Sequence, residues 1–181
     1  LKGFNMSLIR GLSFFGLCFA FVVIALGAWT RLVDAGLGCP DWPGCYGFVV
    51  FPTTEAEILI AEQRYPQFPY EIDKAIPEVV HRYFAAALGF IAILLVTFAY
   101  KYKLSTRIKA IASFLLFFIC CQGLFGYLTV SLKLLPIIVT GHLFGGFITL
   151  SLFFYLFLST SDGIKNHQIG HLKILGGIAL F

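Results

Sequence analysis

The chain has 181 residues, of which 59% are apolar or aromatic and 12% are charged, and its formal net charge is +4. With a mean hydropathy of +0.90, this balance excludes an ordinary soluble domain and marks a polytopic membrane protein. The small positive charge does not imply nucleic acid; its placement between apolar segments reports orientation instead.

Four stretches are long enough to cross a hydrocarbon core, which takes about 20 helical residues: Gly11–Thr30, Glu78–Tyr100, Ile108–Leu132 and Pro136–Ser159. Lys2, Arg10 and the small residues Ala25-Leu26-Gly27 resemble a cleavable leader. The apolar run, however, outlasts the roughly 7–15 residues of a signal peptide, so span one is read as retained. Residues 31–77 form the sizeable loop. It opens with turns at Gly36, Gly38, Pro40, Pro43, Gly44 and Gly47. A short surface helix is expected from Glu55 to Tyr65, ended by Pro66 and Pro69. Pro77 and Pro136 are placed at the first helical position of spans two and four, where a missing N–H does no harm. The other links are short, so neighbouring spans run antiparallel. The expected fold is an all-α membrane protein, an up-down four-helix transmembrane bundle. A fifth run starts near Leu172 and stops at Phe181, and the first residue is Leu. The chain is therefore expected to be the front of a longer protein, with residues 1–160 as a four-helix half and 161–181 as a link into a truncated fifth span.

Lys2 and Arg10 precede span one, Lys101, Lys103, Arg107 and Lys109 crowd the link between spans two and three, and Lys165 and Lys173 follow span four. Asp34, Asp41, Glu55, Glu57, Glu62, Glu71 and Asp73 lie in the long loop. The positive-inside rule then puts the N-terminus in the cytoplasm and the long loop outside. Trp29, Trp42 and Tyr46 fall at the outer boundary, as an interfacial aromatic belt would.

An imidazole inside the bilayer is a functional-site hypothesis by default. His81 follows Pro77 and His142 follows Pro136, both near the outer end of spans that run the same way, so the two rings are expected at matched depth. Zinc or copper would want further His, Cys or carboxylate ligands, whereas His167 and His171 fall in the cytoplasmic link. Two imidazoles on facing helices suit a haem iron in a bundle core. Glu78 shares a helix face with His81 and could orient that ring or accept a proton beside its ligand. Arg82 could meet an anionic group such as a porphyrin propionate. Gly145 and Gly146 lie one turn past His142 and remove bulk from its face, although Gly141 and Gly145 also spell a helix-packing GxxxG. Cys39 and Cys45, with five residues between them, are expected to close a disulfide in an oxidising compartment. Cys18, Cys120 and Cys121 are simplest as small residues within the spans. Gln122, Gly123 and Gly126 give span three a small, polar face.

Gly27-Ala28-Trp29-Thr30-Arg31-Leu32-Val33-Asp34-Ala35-Gly36-Leu37-Gly38-Cys39-Pro40-Asp41-Trp42-Pro43-Gly44-Cys45 resembles the first span and outer loop of bacterial haem A synthases. Glu78-Val79-Val80-His81-Arg82 is similar to that family's E-x-x-H-R, and Lys133-Leu134-Leu135-Pro136 through Thr140-Gly141-His142-Leu143 to its fourth-span entry. The resemblance implies an inner-membrane protein of eight spans in two pseudo-symmetric halves that oxidises the C8 methyl of haem O to a formyl group, giving haem A for a terminal oxidase. It implies His81 and His142 as axial ligands of haem O, Glu78 as catalytic acid/base, and Cys39 and Cys45 as the outer-loop cysteine pair. A haem B cofactor is implied in the missing rear half. The partners it allows are haem O synthase, the terminal oxidase assembly machinery, an unidentified electron donor and a second copy of the chain. Three other readings stay open on the residues. They are a bis-histidine b-type cytochrome passing electrons from quinol, a quinone-linked disulfide oxidoreductase lacking its second outer cysteine pair, and an assembly factor with incidental histidines.

Overall fold

The computed structural model describes residues 2–161; the expected fifth span, with His167 and His171, lies outside them. Five helices follow in order: α1 Lys2–Leu32, α2 Glu55–Arg64, α3 Ile72–Lys101, α4 Thr106–Ser131 and α5 Pro136–Ser159. All but α2 are long and apolar enough to cross a membrane, and they correspond to the four expected spans, although α1 begins at Lys2 and not near Gly11 and so takes in Arg10. Helix α2 is the short helix expected in the long loop. Thr54 and Glu57 start it with a reciprocal capping box, which satisfies two backbone donors that the first turn would leave open.

Span two begins earlier than expected. α3 starts at Ile72, so Pro77 lies inside the helix and not at its first position. The added turn is held without the proline's N–H. The amides of Lys74 and Ala75 both donate to the Glu71 carbonyl, at 3.1 and 3.0 Å, and Lys74 Nζ pairs with Glu71 at 2.9 Å. An internal proline removes one ladder bond. Here Thr30 Oγ1 of α1 donates to the Pro77 carbonyl at 3.2 Å and ties this turn to its neighbour. Pro136 does sit at the start of α5.

α1 packs on α3 and α5, and α4 packs on the same two helices. The bundle is therefore a ring in the order α1, α3, α4, α5, with α3 and α5 diagonally opposite. Large apolar side chains fill the half of the bundle away from the long loop: Ile9, Ile91, Leu95, Leu115, Phe153 and Leu156 are buried together. Gly16 of α1 makes room for the Phe153 ring, which a Cβ at that position would overlap. Such small-to-large fits hold helices together where lipid is as apolar as the core. Toward the loop the filling changes. The buried residues of α4 stop at Leu115, and the helices carry Gly27, Gly126, Gly141 and Gly145 instead of bulky groups.

The long loop has a small core of its own, in which Cys39, Cys45, Tyr46, Ala61, Ala75 and Val79 are buried together. Tyr46 is its plug and not a member of the aromatic belt, being 2% exposed while Trp29 and Trp42 are 42% and 45% exposed. The cause is local. Asp41 accepts from the amides of Tyr46 and Gly47 at 2.6 and 2.8 Å, the chain turns back with Tyr46 at φ 55°, and its hydroxyl donates to the Pro69 carbonyl at 3.0 Å. Burial pushes the Tyr46 phenol up to about 12, with Glu71 adding to the rise.

Candidate functional site

His81 sits on α3 and His142 on α5, the diagonal pair, yet their ring centroids are 6.4 Å apart with planes at 83°. The two side chains thus bridge a gap that their backbones leave open. Each ring lies against a glycine of a third or fourth helix. A Cβ at Gly27 of α1 would stand 2.9 Å from His81 Nε2, and one at Gly126 of α4 would stand 3.7 Å from His142 Cε1. All four spans therefore meet at the imidazoles. Nδ1 of His142 is buried with no hydrogen-bond partner among the described residues. A buried polar nitrogen left open costs about 1–3 kcal/mol, so this ring is suited to a ligand or to an ordered partner that the protein alone does not supply.

Sequence reasoning placed the wrong glycines beneath His142. The space at Gly145 is taken by the Gln122 amide, Gly141 faces the Phe125 ring and Gly146 faces Ile24. The GxxxG of α5 thus serves helix packing against α4, and Gly126 is what clears the face of His142. Gly27, which seats His81, carried no signal beyond being a small residue near the end of span one. Only knowledge of which helix faces α3 could have singled it out.

Glu78 lies one turn before His81 and is 4% exposed. One carboxylate oxygen accepts from the Cys39 amide at 2.9 Å, and the other accepts from Arg82 Nη2. Removing one member of such a buried, paired set leaves an uncompensated charge, typically at a cost of about 3–5 kcal/mol. Arg82 does not present its terminal nitrogens to an open anion site. Nη1 donates to the carbonyls of Asp41 at 2.9 Å, Pro43 at 3.3 Å and Gly44. The loop takes the Nη1 donors and Glu78 one Nη2 donor, so Nε–H and the second Nη2–H are what is left to meet a propionate. The reason is spacing: Glu78 and Arg82 are one helical turn apart on one face, directly beneath the turn that Asp41 organises.

That turn is the disulfide loop. Cys39 and Cys45 are bonded and fully buried, while Cys18, Cys120 and Cys121 are free. The Cys45 amide and carbonyl pair with Phe48 in one isolated antiparallel bridge, at 2.9 and 3.1 Å. Gly38 is required for the loop's approach, since a Cβ there would run into the Lys74 carbonyl. Trp42 leans edge-on against Tyr127 of α4, with centroids 5.9 Å apart, so the loop roofs this end of the bundle.

The residues present fit a haem. Two imidazoles from facing helices, one with a buried ring nitrogen that no described residue partners, are the donor chemistry that would hold its iron. Among the described residues no third His, Cys, Asp or Glu joins them in a ligand cluster, which suits an iron whose four equatorial positions are filled by a macrocycle.

Fold and site together define a multi-pass helical membrane protein whose bundle brings a histidine pair together beneath a disulfide-closed loop. Residues 10–180 match the family model described as cytochrome oxidase assembly protein, COX15-CtaA. The chain belongs to this family. It is also 44% identical over 144 residues to a protein of Shewanella oneidensis described as heme A synthase, an alignment that covers 80% of this chain and 43% of the relative. The chain thus spans less than half the length of that relative.

Proposed function

We propose that this chain is the substrate half of a haem A synthase, which oxidises the C8 methyl of haem O to a formyl group. The observation that carries the proposal is the meeting of His81 and His142 across the bundle diagonal, 6.4 Å between centroids, at a level where glycines replace side-chain bulk. His81 and His142 would hold the iron of the substrate porphyrin, and ligands from two facing helices would restrain it between α3 and α5. Selecting one methyl over its neighbours requires fixed orientation of the substrate, which the rigid, glycine-seated imidazoles favour. Glu78, whose two oxygens accept from the Cys39 amide and from Arg82, would exchange protons as the methyl is oxidised. The disulfide loop, with Trp42 against Tyr127, would limit the entry of water from above. A haem B cofactor, which the family resemblance implies for another part of a full-length synthase, would supply redox chemistry. Arg82 would meet a propionate only through its Nε–H and second Nη2–H, since the loop and Glu78 take its other donors.

The membrane orientation belongs to the same proposal. Basic residues border the far ends of the spans, and a disulfide persists in an oxidising compartment. Both favour a bacterial inner-membrane protein with its N-terminus in the cytoplasm and the Cys39–Cys45 loop outside. Haem O synthase, the oxidase assembly machinery, an electron donor and further copies of the chain are the partners such a role would bring. A b-type cytochrome would use the same histidine pair, but a pure electron carrier has no need of a buried carboxylate one turn from a ligand.

The test uses the full-length protein in membranes. His81→Ala and His142→Ala should each lose bound haem O, while Glu78→Gln should keep haem and stall the conversion to haem A. Normal conversion by Glu78→Gln, or full haem content in both histidine variants, would refute the assignment.

A further inference from the structure

We propose that Arg82 is a positioning residue that locks the disulfide loop and Glu78 into one unit above the histidine pair. This rests on the haem A synthase reading for its consequence in turnover, though not for the clamp itself. One guanidinium spans both parts. Nη1 collects the carbonyls of Asp41, Pro43 and Gly44, all inside the Cys39–Cys45 loop, and Nη2 holds Glu78. The second oxygen of Glu78 returns to the loop by accepting from the Cys39 amide. The loop is therefore gripped at its first cysteine and along its turn, by two side chains one helical turn apart on α3. The ion pair is largely shielded, with side-chain exposures of 13% for Arg82 and 6% for Glu78.

The planar fork of arginine is what permits this, since its several N–H donors point in fixed directions. A lysine offers one nitrogen and cannot reach both the turn carbonyls and the carboxylate. A neutral glutamine loses the charge that balances Glu78. Loss of the clamp should let the loop lift, expose the buried disulfide, and free Glu78 from its set position without touching either imidazole.

The measurement is disulfide reduction in the full-length, membrane-embedded protein, followed by maleimide labelling after timed exposure to a water-soluble phosphine. It is paired with the haem spectrum and with conversion at saturating haem O. Charge-assisted bonds to a buried group contribute enough that Arg82→Gln should speed reduction about ten-fold or more. The bis-imidazole spectrum and haem content should stay, and the maximal conversion rate should fall by a similar factor with little change in KM. Arg82→Lys should fall between wild type and Arg82→Gln, and it carries the test if the glutamine variant does not accumulate. Unchanged reduction rates in both variants would overturn the clamp. So would loss of haem or a raised KM at an unchanged reduction rate, which is the signature of a propionate contact. If the wild-type protein converts no haem O at all, the functional reading fails, while the reduction rates still decide the clamp.

Discussion

Gly27 offers the sharpest test of how the site is built. A methyl added there would sit 2.9 Å from His81 Nε2, whereas one added at Gly126 would sit 3.7 Å from His142 Cε1. Non-bonded heavy atoms are comfortable near 3.5–4.0 Å, so Gly27→Ala must push the imidazole by about 0.5 Å or more, while Gly126→Ala makes an ordinary contact. Metal–ligand distances tolerate only about 0.2 Å. The displaced atom is a ring nitrogen of a proposed iron ligand, and overpacking of this kind costs about 1–3 kcal/mol. Taken up in haem binding, that cost corresponds to a loss of about 5-fold to 150-fold in haem retention. Helix propensity predicts the opposite, since replacing glycine by alanine inside a helix favours it by about 1 kcal/mol at either site. The assay is haem content per protein with the absorption spectrum of the reduced form, for both variants in membranes. Gly27→Ala should lose haem or its bis-imidazole bands and Gly126→Ala should keep them. Equal haem and unchanged bands in the two variants would refute the seating of His81 on α1.

Further expectations concern the loop. Gly38→Ala would drive a methyl into the rigid Lys74 backbone carbonyl, so the loop should shift off α3 and the Cys39–Cys45 bond should become reducible, as read by thiol labelling. Tyr46 titrates near 12 and not at its usual 10 because it is buried. A folded pKa raised in this way means stability is fully present below about pH 10 and lost as pH rises toward 12, and tyrosinate absorbance near 295 nm should follow that late rise. Tyr46→Phe deletes the bond to the Pro69 carbonyl and should cost about 1 kcal/mol in loop stability, measured by hydrogen exchange. Thr54→Ala removes half of the capping box of α2 and should cost about 1 kcal/mol locally, seen as faster amide exchange over Glu55–Arg64.

Much of the bundle could be read from composition and spacing. Runs of about 20 apolar residues have one good solution in a bilayer, because a helix satisfies its backbone internally. That is why α5 begins at Pro136 and ends at Ser159 as expected, and why short links dictated an up-down order. His81 and His142 stood out because an imidazole is rare and costly at that depth, and the cysteine pair because few residues separate it. Helix α3 begins earlier than expected because Glu71 holds the added turn through Lys74 and Ala75, while Thr30 of α1 ties the Pro77 turn to its neighbour.

The diagonal placement of α3 and α5 was decided only by tertiary structure, and so were Gly27 and Gly126 as the seats of the two rings. The same holds for the turning of Arg82 toward the loop and the inward folding of Tyr46. Each is a contact between residues far apart in the chain, set by which helix faces cover one another. Local periodicity fixes the angle at which a side chain leaves its own helix. It carries no information on what stands opposite, and in this site what stands opposite is the chemistry.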